Sequence, residues 1–311
     1  MCIRDSPMPD RLPQWQQALL ERHRLSVAYL EYAQKWFAPL AFALAEHQKS
    51  AGRPLLVGIN GCQGSGKTTF CDYLTGELYH RKGVRTVALS LDDFYHTHAR
   101  RERLAHQVHP LFMTRGVPGT HDMALLQQTL DALLTPPFDG PVAIPRFDKA
   151  TDDRYPRERW DLVDEGVDLV LLEGWCLGAR PEAEEALATP VNTLESEEDP
   201  DGTWRRHVNR ALAREFEPLY GRIEQWVMLR APSFDCVYRW RREQEQKLAA
   251  ATHAVATNRI MDEAQLARFI QFFQRLTLHC LDKLPEQVDY LYSLDEQRQV
   301  TDYRHGGNEG P

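Results

Sequence analysis

The amino-acid sequence predicts an α/β fold in which helices cover both faces of a parallel sheet. Short apolar stretches that are typical of buried strands alternate with longer segments of helical periodicity. Three of these strands, at 55–60, 84–91 and 167–174, end beside glycines or acidic residues, which are the residue types that bind ligands at strand ends. No internal repeat or low-complexity linker divides the chain, so we expect one core domain over residues 51–302.

The composition is that of an ordinary globular protein. Of the 311 residues, 42% are hydrophobic and 26% are charged, and the formal net charge is −8. This acidic balance argues against a nucleic-acid-binding surface, and no apolar run is long enough to span a membrane. The six cysteines are scattered without a C-x-x-C pair or a secretory leader, which predicts a reduced, cytoplasmic protein without structural zinc.

The first fifty residues precede the predicted core domain. Residues 1–10 show no periodicity, and we expect them to be a non-native or disordered leader. From residue 12 to residue 48 apolar side chains recur at spacings of three to four, which predicts helices over 11–50 that pack on the core. Pro39 should divide this segment into two helices.

A glycine-rich loop follows the first predicted strand. Residues 61–68 match G-x-x-x-x-G-K-[ST], and a helical pattern follows that should end at Gly83. Such a loop turns backbone N–H groups toward phosphate oxygens, while Lys67 reaches the β- and γ-phosphates and Thr68 holds Mg²⁺. We interpret Cys62 as a tolerated loop position rather than a reactive thiol. The predicted ATP-binding residues are Gly61, Cys62, Gln63, Gly64, Ser65, Gly66, Lys67, Thr68 and Thr69.

The second strand ends in two adjacent carboxylates, Asp92 and Asp93. Ligands gather at the carboxyl ends of strands in such sheets, so we expect these acids to take part in the chemistry. Residues 96–120 follow as a long polar segment with several histidines and arginines. The histidine spacing matches no zinc pattern, and we predict a mobile loop that faces the substrate.

The middle of the chain contains a third strand and a charged segment. A helix is predicted over 123–134, with Thr120 or Asp122 as its N-cap, and a short strand over 142–144. Residues 145–154 are either a solvated loop or part of a pocket for the acceptor. The third strand, 167–174, has Glu173 in the Walker B position, where the carboxylate meets Mg²⁺ directly or through water.

The C-terminal part alternates helices and strands. Residues 181–201 are acidic and proline-containing, which predicts a solvated insertion, and residues 204–220, 225–229, 262–282 and 288–294 predict helix, strand, helix and strand. Three arginines within residues 232–250 suit a helical lid that closes over phosphate, or they pair with neighbouring glutamates on an exposed face. Residues 303–311 are predicted to be a flexible tail.

The acid pair after the second strand favours a kinase among the proteins that carry such a phosphate loop. Phosphoryl transfer to an alcohol needs a base near the acceptor hydroxyl, which Asp92 can supply. It also needs cations around the transferred group, which Lys67, Mg²⁺ and the lid arginines can supply. No Asn-Lys-x-Asp guanine signature is present, which counts against a GTPase. A nucleotide-gated regulatory ATPase is the competing class, although such a switch has no need for the acid pair.

Several segments, in the same order along residues 55–295, resemble the P-loop kinases of small molecules, such as uridine kinase, pantothenate kinase and phosphoribulokinase. The finer pattern is most similar to the plant and fungal D-glycerate 3-kinase family. The segments that carry the resemblance are 64–69, 90–95, 119–122, 145–149, 172–178, 208–209 and 238–241. Two features depart from the plant pattern, namely Arg242 at a position that is otherwise apolar and the acidic 181–201 segment.

The resemblance implies roles for individual residues. Asp92 matches the catalytic base, Lys67 and Thr68 the phosphate and Mg²⁺ contacts, Glu173 the Walker B acid, and Arg241 the lid arginine. The implied reaction is ATP- and Mg²⁺-dependent phosphorylation of a small hydroxylated acceptor, with D-glycerate to 3-phosphoglycerate as the leading choice and a nucleoside, a pantothenate-like compound or a sugar as the alternatives.

A glycerate pocket should offer a cation to the carboxylate of the acceptor and polar groups to its hydroxyls. The basic residues of the 145–154 segment are the candidates for the carboxylate. His121 fits the acceptor's hydroxyls or a structural position equally well. The acceptor-binding residues expected on these grounds are Asp93, Tyr95, His121, Arg146, Asp148, Lys149 and Arg154.

Overall fold

The computed structural model describes residues 12–251 and 261–306, and it describes the side chains of these residues except at 244–251. Extended segments recur through this part of the chain. They are β1 (Leu55–Gly61), β2 (Thr86–Ser90), β3 (Val142–Ile144), β4 (Phe147–Asp148), β5 (Asp153–Arg154), β6 (Asp161–Val163), β7 (Leu169–Gly174), β8 (Gln225–Arg230), β9 (Tyr290–Leu294) and β10 (Val300–His305).

One six-stranded sheet with the order β10-β9-β8-β1-β7-β2 forms the centre of the fold. β1 pairs in parallel with β7 on one side and with β8 on the other, and β2 and β9 extend the parallel part outward. All seven residues of β1 are buried, as expected for a central strand covered on both faces. The carboxyl ends of β1, β7 and β2 therefore lie side by side, and the phosphate loop leaves the sheet at its middle.

Helices cover both faces of this sheet, as the sequence predicts. One hydrophobic core contains side chains of α6, α9 and α12, and the other contains side chains of α1 to α4. The helices are α1 (Gln14–His23), α2 (Ala28–Trp36), α3 (Ala38–Ala51), α4 (Lys67–Glu77), α5 (His98–Gln107), α6 (Met123–Leu134), α7 (Glu184–Leu187), α8 (Thr193–Glu198), α9 (Thr203–Ala211), α10 (Glu217–Tyr220), α11 (Phe234–Ala251) and α12 (Glu263–Lys283).

The N-terminal segment forms three helices where the sequence predicts two. The predicted break at Pro39 is present, and the proline lies in the first turn of α3. A further break lies between α1 and α2, because Arg24 ends α1 in the left-handed conformation with a φ of 54°. The ring of Phe37 packs edge-on against Phe70 of α4 at 4.8 Å, so these helices contact the element that follows the phosphate loop.

The polar segment 96–120 is not the open loop that the sequence predicts. Helix α5 begins at His98, where the side chain of Thr97 accepts a hydrogen bond from the backbone N–H of Arg100. Arg101 is fully buried and forms an ion pair of 2.9 Å with Asp152. The hydrophobic pattern gave no sign of this helix because the side chain that anchors it to the protein is charged and finds its partner fifty residues away.

The acidic 181–201 segment is only partly solvated, which corrects the expectation from its composition. Glu195 is 1% exposed and accepts hydrogen bonds from Arg275 of α12, and Asp199 is fully buried and paired with Arg205. A buried carboxylate is tolerated only where a cation and further donors satisfy it, and these arginines supply both. The segment is therefore attached to the core by its acids.

Two expectations about the chain ends change or fall outside the described residues. Residues 303–305, expected in the flexible tail, belong to β10, which pairs antiparallel with β9. Only Val300 of β10 is buried, so its sequence lacks the apolar pattern of an internal strand. Residues 307–311 and the expected leader lie outside the described residues. Across the part of the chain that the structure describes, no helix is both long and apolar enough to cross a bilayer.

Candidate active site

The phosphate loop adopts a backbone conformation that depends on its glycines. Gly64 and Gly66 have φ angles of +79° and +92°, in the left-handed region that other residues rarely adopt. A Cβ atom at Gly61 would lie 2.7 Å from the Ser65 hydroxyl oxygen, and one at Gly64 would lie 2.7 Å from the Cβ of Trp240. The loop therefore packs tightly against its own turn and against α11.

A lysine, a threonine and a glutamate meet where β1 and β7 end. Lys67 Nζ donates a hydrogen bond of 3.2 Å to the carbonyl of Cys62 and lies 3.8 Å from Glu173 Oε2. Thr68 Oγ1 donates to Glu173 Oε1 at 3.1 Å. The hydroxyl and the carboxylate are oxygen ligands of the kind that Mg²⁺ takes from proteins alongside substrate phosphates. Among the described residues, no three histidine, cysteine or acidic side chains converge into a complete metal cage.

Asp92 lies in a 3₁₀ turn, Leu91–Phe94, directly after β2. Its carboxylate accepts hydrogen bonds from the Tyr95 hydroxyl at 2.8 Å and from Lys149 Nζ at 2.6 Å. Burial alone would raise the pKa of Asp92, but Lys149, Tyr95 and the charge of Lys67 outweigh burial and hold this pKa well below its usual range. The group is therefore an ionised carboxylate at neutral pH.

These residues surround one cavity of about 190 Å³. Cations and carboxylates from the phosphate loop, the ends of β2 and β7, the β4–β5 turn and α11 face into it, and aromatic rings close the rest of its wall. The lining residues are Gln63, Gly64, Lys67, Thr68, Ser90, Asp92, Tyr95, Arg115, Lys149, Glu173, Trp175, Arg241, Phe269 and Phe273. The arrangement places phosphate-binding groups and an ionised carboxylate in one space.

Helix α11 occupies the region predicted as a lid, 232–250. Of its three clustered arginines, Arg241 lines the cavity, with its guanidinium 5.6 Å from the ring of Phe269. Arg239 pairs with Glu296 and Arg242 with Glu263, both at 2.7–2.8 Å. Arg239 and Arg242 thus have partners outside the helix, while Glu245, one of the two glutamates of the alternative interpretation, lies among the side chains outside the described residues.

The predicted acceptor-binding residues divide into two groups. Tyr95 and Lys149 line the cavity. Asp93 instead accepts hydrogen bonds from Arg146 at 2.6 Å and from the backbone N–H of Phe147 at 3.1 Å, and Arg146 also pairs with Asp161. These contacts join the turn after β2 to β4 and do not face the cavity.

The other predicted acceptor-binding residues also have local partners. Arg154 donates to the carbonyl of Tyr95 at 2.8 Å and to Asp122 at 3.1 Å, and Asp122 is the N-cap of α6. Asp148 accepts a hydrogen bond of 2.9 Å from the backbone N–H of Ala150 within the β4–β5 turn. Neither side chain is among the residues that line the cavity.

His121 is 1% exposed and lies in an aromatic cluster rather than in the cavity. Its ring centroid is 4.6 Å from that of Tyr95 and 5.7 Å from that of Phe216. Burial lowers the pKa of this imidazole to about 3, so the ring is neutral under ordinary conditions. The structural interpretation of His121 therefore fits its surroundings, where it supports Tyr95 from behind.

Arg115 is the charged residue of the described cavity lining that the sequence interpretation did not identify. It comes from the segment read as an open loop, and its guanidinium lies 5.4 Å from the ring of Phe147 and forms an ion pair with Asp152. No local motif surrounds it. The one available signal was its position in a polar segment expected to face the substrate.

Cys62 shows no feature of a reactive thiol, although it lies in the phosphate loop. The residue is 5% exposed. Burial raises the pKa of its thiol to about 12, against the lowering effect of Lys67. A protonated, enclosed thiol does not act as a nucleophile, in agreement with the interpretation of Cys62 as a tolerated position.

A second cavity, of about 590 Å³, lies on the other side of the phosphate loop. Ser65, Gly66 and Thr69 form part of its wall, and the N-terminal helices and the β9–β10 turn form the rest. Thr69 Oγ1 is 3.1 Å from His23 Nδ1, and His23 Nε2 is 2.7 Å from Asp72, so a hydrogen-bonded chain ties α1 to α4. The phenyl, phenol and amide side chains of this cavity are Tyr29, Tyr32, Phe37, Phe70, Gln297 and Gln299.

Comparison with known proteins gives the context for these two cavities. No protein-family model matches the chain. The uncharacterized kinase mug58 of Schizosaccharomyces pombe is 33% identical over 263 residues, which cover 82% of this chain and 87% of the relative. The chloroplastic D-glycerate 3-kinase of Arabidopsis thaliana is 29% identical over 199 residues, covering 62% of this chain and 41% of the relative.

A solved structure shows the same fold. The D-glycerate 3-kinase from Cryptococcus neoformans superposes with a TM-score of 0.70 at 24% identity, covering 87% of this chain and 98% of that chain. The relatives are kinases, and the solved structure shares the fold of this chain. The chain belongs to the P-loop kinases of small molecules, in the group that includes D-glycerate 3-kinase, and it is an ATP-dependent kinase.

Proposed function

We propose that this kinase transfers the γ-phosphoryl group of ATP to a small hydroxylated acid, with D-glycerate to 3-phosphoglycerate as the leading reaction. The observation that carries the proposal is the position of Asp92, an ionised carboxylate that shares one cavity with Lys67 and Arg241. The names of two relatives, both D-glycerate 3-kinases, support the choice of acceptor.

Each side of the cavity has its own part in the proposed transfer. The acceptor hydroxyl donates a hydrogen bond to Asp92, its oxygen forms a bond to the γ-phosphorus, and the bond from that phosphorus to the bridging β–γ oxygen breaks. The hydroxyl proton passes to Asp92 and then to solvent. Lys67 and Arg241 stabilise the charge on the transferred group and on the departing ADP.

Mg²⁺ fits the oxygen ligands at Thr68 and Glu173, and when bound there it supplies positive charge beside the β- and γ-phosphates. Glu173 lies near the end of β7, and β7 pairs with β1, the strand that leads into the phosphate loop. This position supports the placement of Mg²⁺. Lys67 lies 3.8 Å from the same carboxylate and keeps it oriented toward the phosphate side of the cavity.

We also place the nucleoside part of ATP in the second cavity. Ser65, Gly66 and Thr69 of the phosphate loop line this cavity and not the first, and Gly64 lines both, so a polyphosphate chain bound by the loop leads into it. The aromatic rings of the N-terminal helices offer stacking surfaces to a base.

Five described cysteines are free and buried, which supports a cytoplasmic location.

The reaction is tested by measuring ADP release from ATP and Mg²⁺ with D-glycerate, uridine, pantothenate and a sugar. Turnover that depends on D-glycerate is expected. Turnover with another compound but none with D-glycerate would remove the choice of acceptor. Hydrolysis of ATP that needs no acceptor would favour a nucleotide-gated regulatory ATPase instead.

Within the kinase assay, Asp92→Asn tests the base. The amide removes the proton acceptor, and we expect kcat to fall by about 10²-fold or more while the Kd for ATP is kept. Asp168→Asn is the control. Asp168 lies immediately before the first residue of β7, at the end of the strand opposite Glu173, and it pairs with Arg85. An unchanged kcat in Asp92→Asn would show that another group accepts the proton.

A further inference from the structure

We propose that Arg115 binds the negatively charged group of the acceptor and thereby restricts this kinase to small anionic alcohols. The inference rests on the proposed function, since it concerns the acceptor side of the same cavity. It adds a residue that lies outside the motifs of the sequence and a chemical class of acceptor that this residue selects.

The first observation is a surplus of positive charge behind the cavity wall. The carboxylate of Asp152 pairs with two guanidinium groups, those of Arg101 and Arg115. Arg101 is fully buried, and among the described residues its ion pair is with Asp152. It also donates to the carbonyl groups of Met113 and Asp152 at 2.6 Å each. One carboxylate cannot neutralise two guanidiniums, so positive charge remains on the member that faces the cavity, which is Arg115.

The second observation is that Arg115 lies next to the groups that hold Asp92. Burial raises the pKa of the Tyr95 hydroxyl, and the charge of Arg115 acts in the opposite direction. The charge of Arg115 also opposes that of Asp92 in setting the pKa of Lys149. Tyr95 and Lys149 both donate hydrogen bonds to Asp92. Arg115 lines the same cavity of about 190 Å³, so a small acceptor with its hydroxyl at Asp92 shares this confined space with Arg115.

Of the other cavity cations, Lys67 and Lys149 lie beside carboxylates, and Arg241 is assigned to the transferred group in the proposed reaction. Lys67 lies beside Glu173, and Lys149 is bound to Asp92 at 2.6 Å. Arg146 and Arg154, the arginines expected from the sequence to bind a carboxylate, pair with aspartates and do not line the cavity. Among the described cavity-lining residues, Arg115 is thus the cation best placed for the acceptor.

The third observation is that the backbone around Arg115 is fixed. The N–H of Gly116 donates to the Thr120 hydroxyl at 3.1 Å, and its carbonyl accepts a hydrogen bond of 3.0 Å from the indole of Trp175. The ring of Phe147 lies against the guanidinium. A guanidinium held in this way loses little freedom on binding, and its planar donors match a carboxylate in a bidentate geometry.

The test compares Arg115→Gln with the wild-type enzyme on two acceptors, D-glycerate and its uncharged amide. The variant loses the hydrogen bonds to the charged group, so we expect KM for D-glycerate to rise by about 10- to 100-fold. KM for ATP and kcat/KM for the amide should stay within about twofold of wild type. Arg115→Lys, which keeps the positive charge but loses the paired donors of the guanidinium, should recover part of the affinity for D-glycerate.

The matched control is Arg222→Gln. Arg222 has a similar side-chain exposure, 32% against 24% for Arg115, and it also pairs with a single aspartate, Asp131, but it lies away from the cavity. Its kinetic constants should equal those of wild type. Thermal unfolding of all variants separates a loss of acceptor binding from a loss of folded protein.

The outcomes distinguish this inference from the proposed function. Wild-type turnover of D-glycerate with an unchanged KM in Arg115→Gln overturns the role of Arg115 and leaves the reaction standing. Wild-type turnover of a different anionic alcohol, lost in Arg115→Gln, supports the role of Arg115 and overturns the choice of D-glycerate. Wild-type preference for the uncharged amide overturns the inference directly.

Discussion

The contact between the phosphate loop and α11 gives a quantitative prediction for Gly64→Ala. The added methyl group would lie 2.7 Å from the Cβ of Trp240, which is closer than carbon atoms approach. A Cβ atom moves only with its backbone, so no rotamer change relieves the overlap, and either the loop or α11 must shift. The substitution also places a side chain at a φ of +79°, which costs about 1–2 kcal/mol.

Gly83→Ala separates backbone strain from the overlap. Gly83 has a φ of +69°, and an added Cβ at that position would meet no atom within 4 Å. This glycine ends the helical segment after α4, away from both cavities, so the variant should lose about 1–2 kcal/mol of unfolding free energy with unchanged kinetic constants. For a chain of this size, that loss corresponds to a fall in Tm of roughly 2–8 °C.

Gly64→Ala should show the same strain and also a functional loss. A displacement approaching 1 Å in groups that position a reacting phosphate lowers activity by about 10²-fold, and we expect a decrease of that order in kcat/KM for ATP. The assay is ADP release at saturating acceptor with ATP varied, run beside thermal unfolding of both variants. Equal activity in Gly64→Ala and Gly83→Ala would refute the reasoning. It would mean that the loop and α11 leave room for a methyl group at residue 64, contrary to the 2.7 Å between an added Cβ atom and the Cβ of Trp240.

Two further predictions concern groups that the structure buries. His121 has a pKa of about 3 against 6.5 for an exposed histidine, so below pH 6.5 only the unfolded chain binds a proton there. Between pH 7 and pH 5 the unfolding free energy of wild type should therefore fall by about 2 kcal/mol more than that of His121→Phe, measured by urea unfolding. An equal fall in the two proteins would contradict the burial of a neutral ring. The second prediction is that iodoacetamide at pH 7.5 leaves the native enzyme active, because Cys62 is 5% exposed and its thiol has a pKa of about 12. Rapid inactivation of wild type that is absent in Cys62→Ser would instead show an accessible thiolate.

The parts of the fold that the sequence predicts are those built on apolar side chains close together in the chain. The residues of β1 and β7 are all buried, and each strand begins with an apolar run, at 55–59 and 169–172. The helix predicted over 123–134 is present as α6 with these bounds. The helix α5 and the attachment of the acidic segment depend on charged pairs such as Arg275 with Glu195, eighty residues apart. Periodicity contains no information about such pairs, so composition predicted solvent exposure where the structure has burial.

The same distinction explains which parts of the site were predicted. The phosphate side depends on two short motifs, the phosphate loop and the acid that ends a buried strand. Lys67 and Thr68 of the loop lie beside Glu173 of that strand, as these motifs imply. The acceptor side depends on which cations are left over after local pairing. Arg146 looked suitable in the sequence, but Asp93 and Asp161 take its guanidinium, whereas Arg115 shares its aspartate with a second arginine. Only the folded arrangement decides which arginine has unbalanced charge.

One short hairpin connects the two halves of the proposed acceptor site. The turn between β4 and β5 carries Lys149, which binds Asp92, and Asp152, which binds Arg115. The proposed base and the proposed anion-binding arginine are thus both held by a four-residue turn that contributes nothing to the phosphate loop or to the Walker B strand. A change in the length or sequence of this turn would alter the spacing between base and cation, and hence the acceptor, while leaving the ATP-binding side intact. Enzymes with a common phosphate-binding half can differ in substrate by this route, because the two halves of the site belong to separate elements of the sheet and its connections.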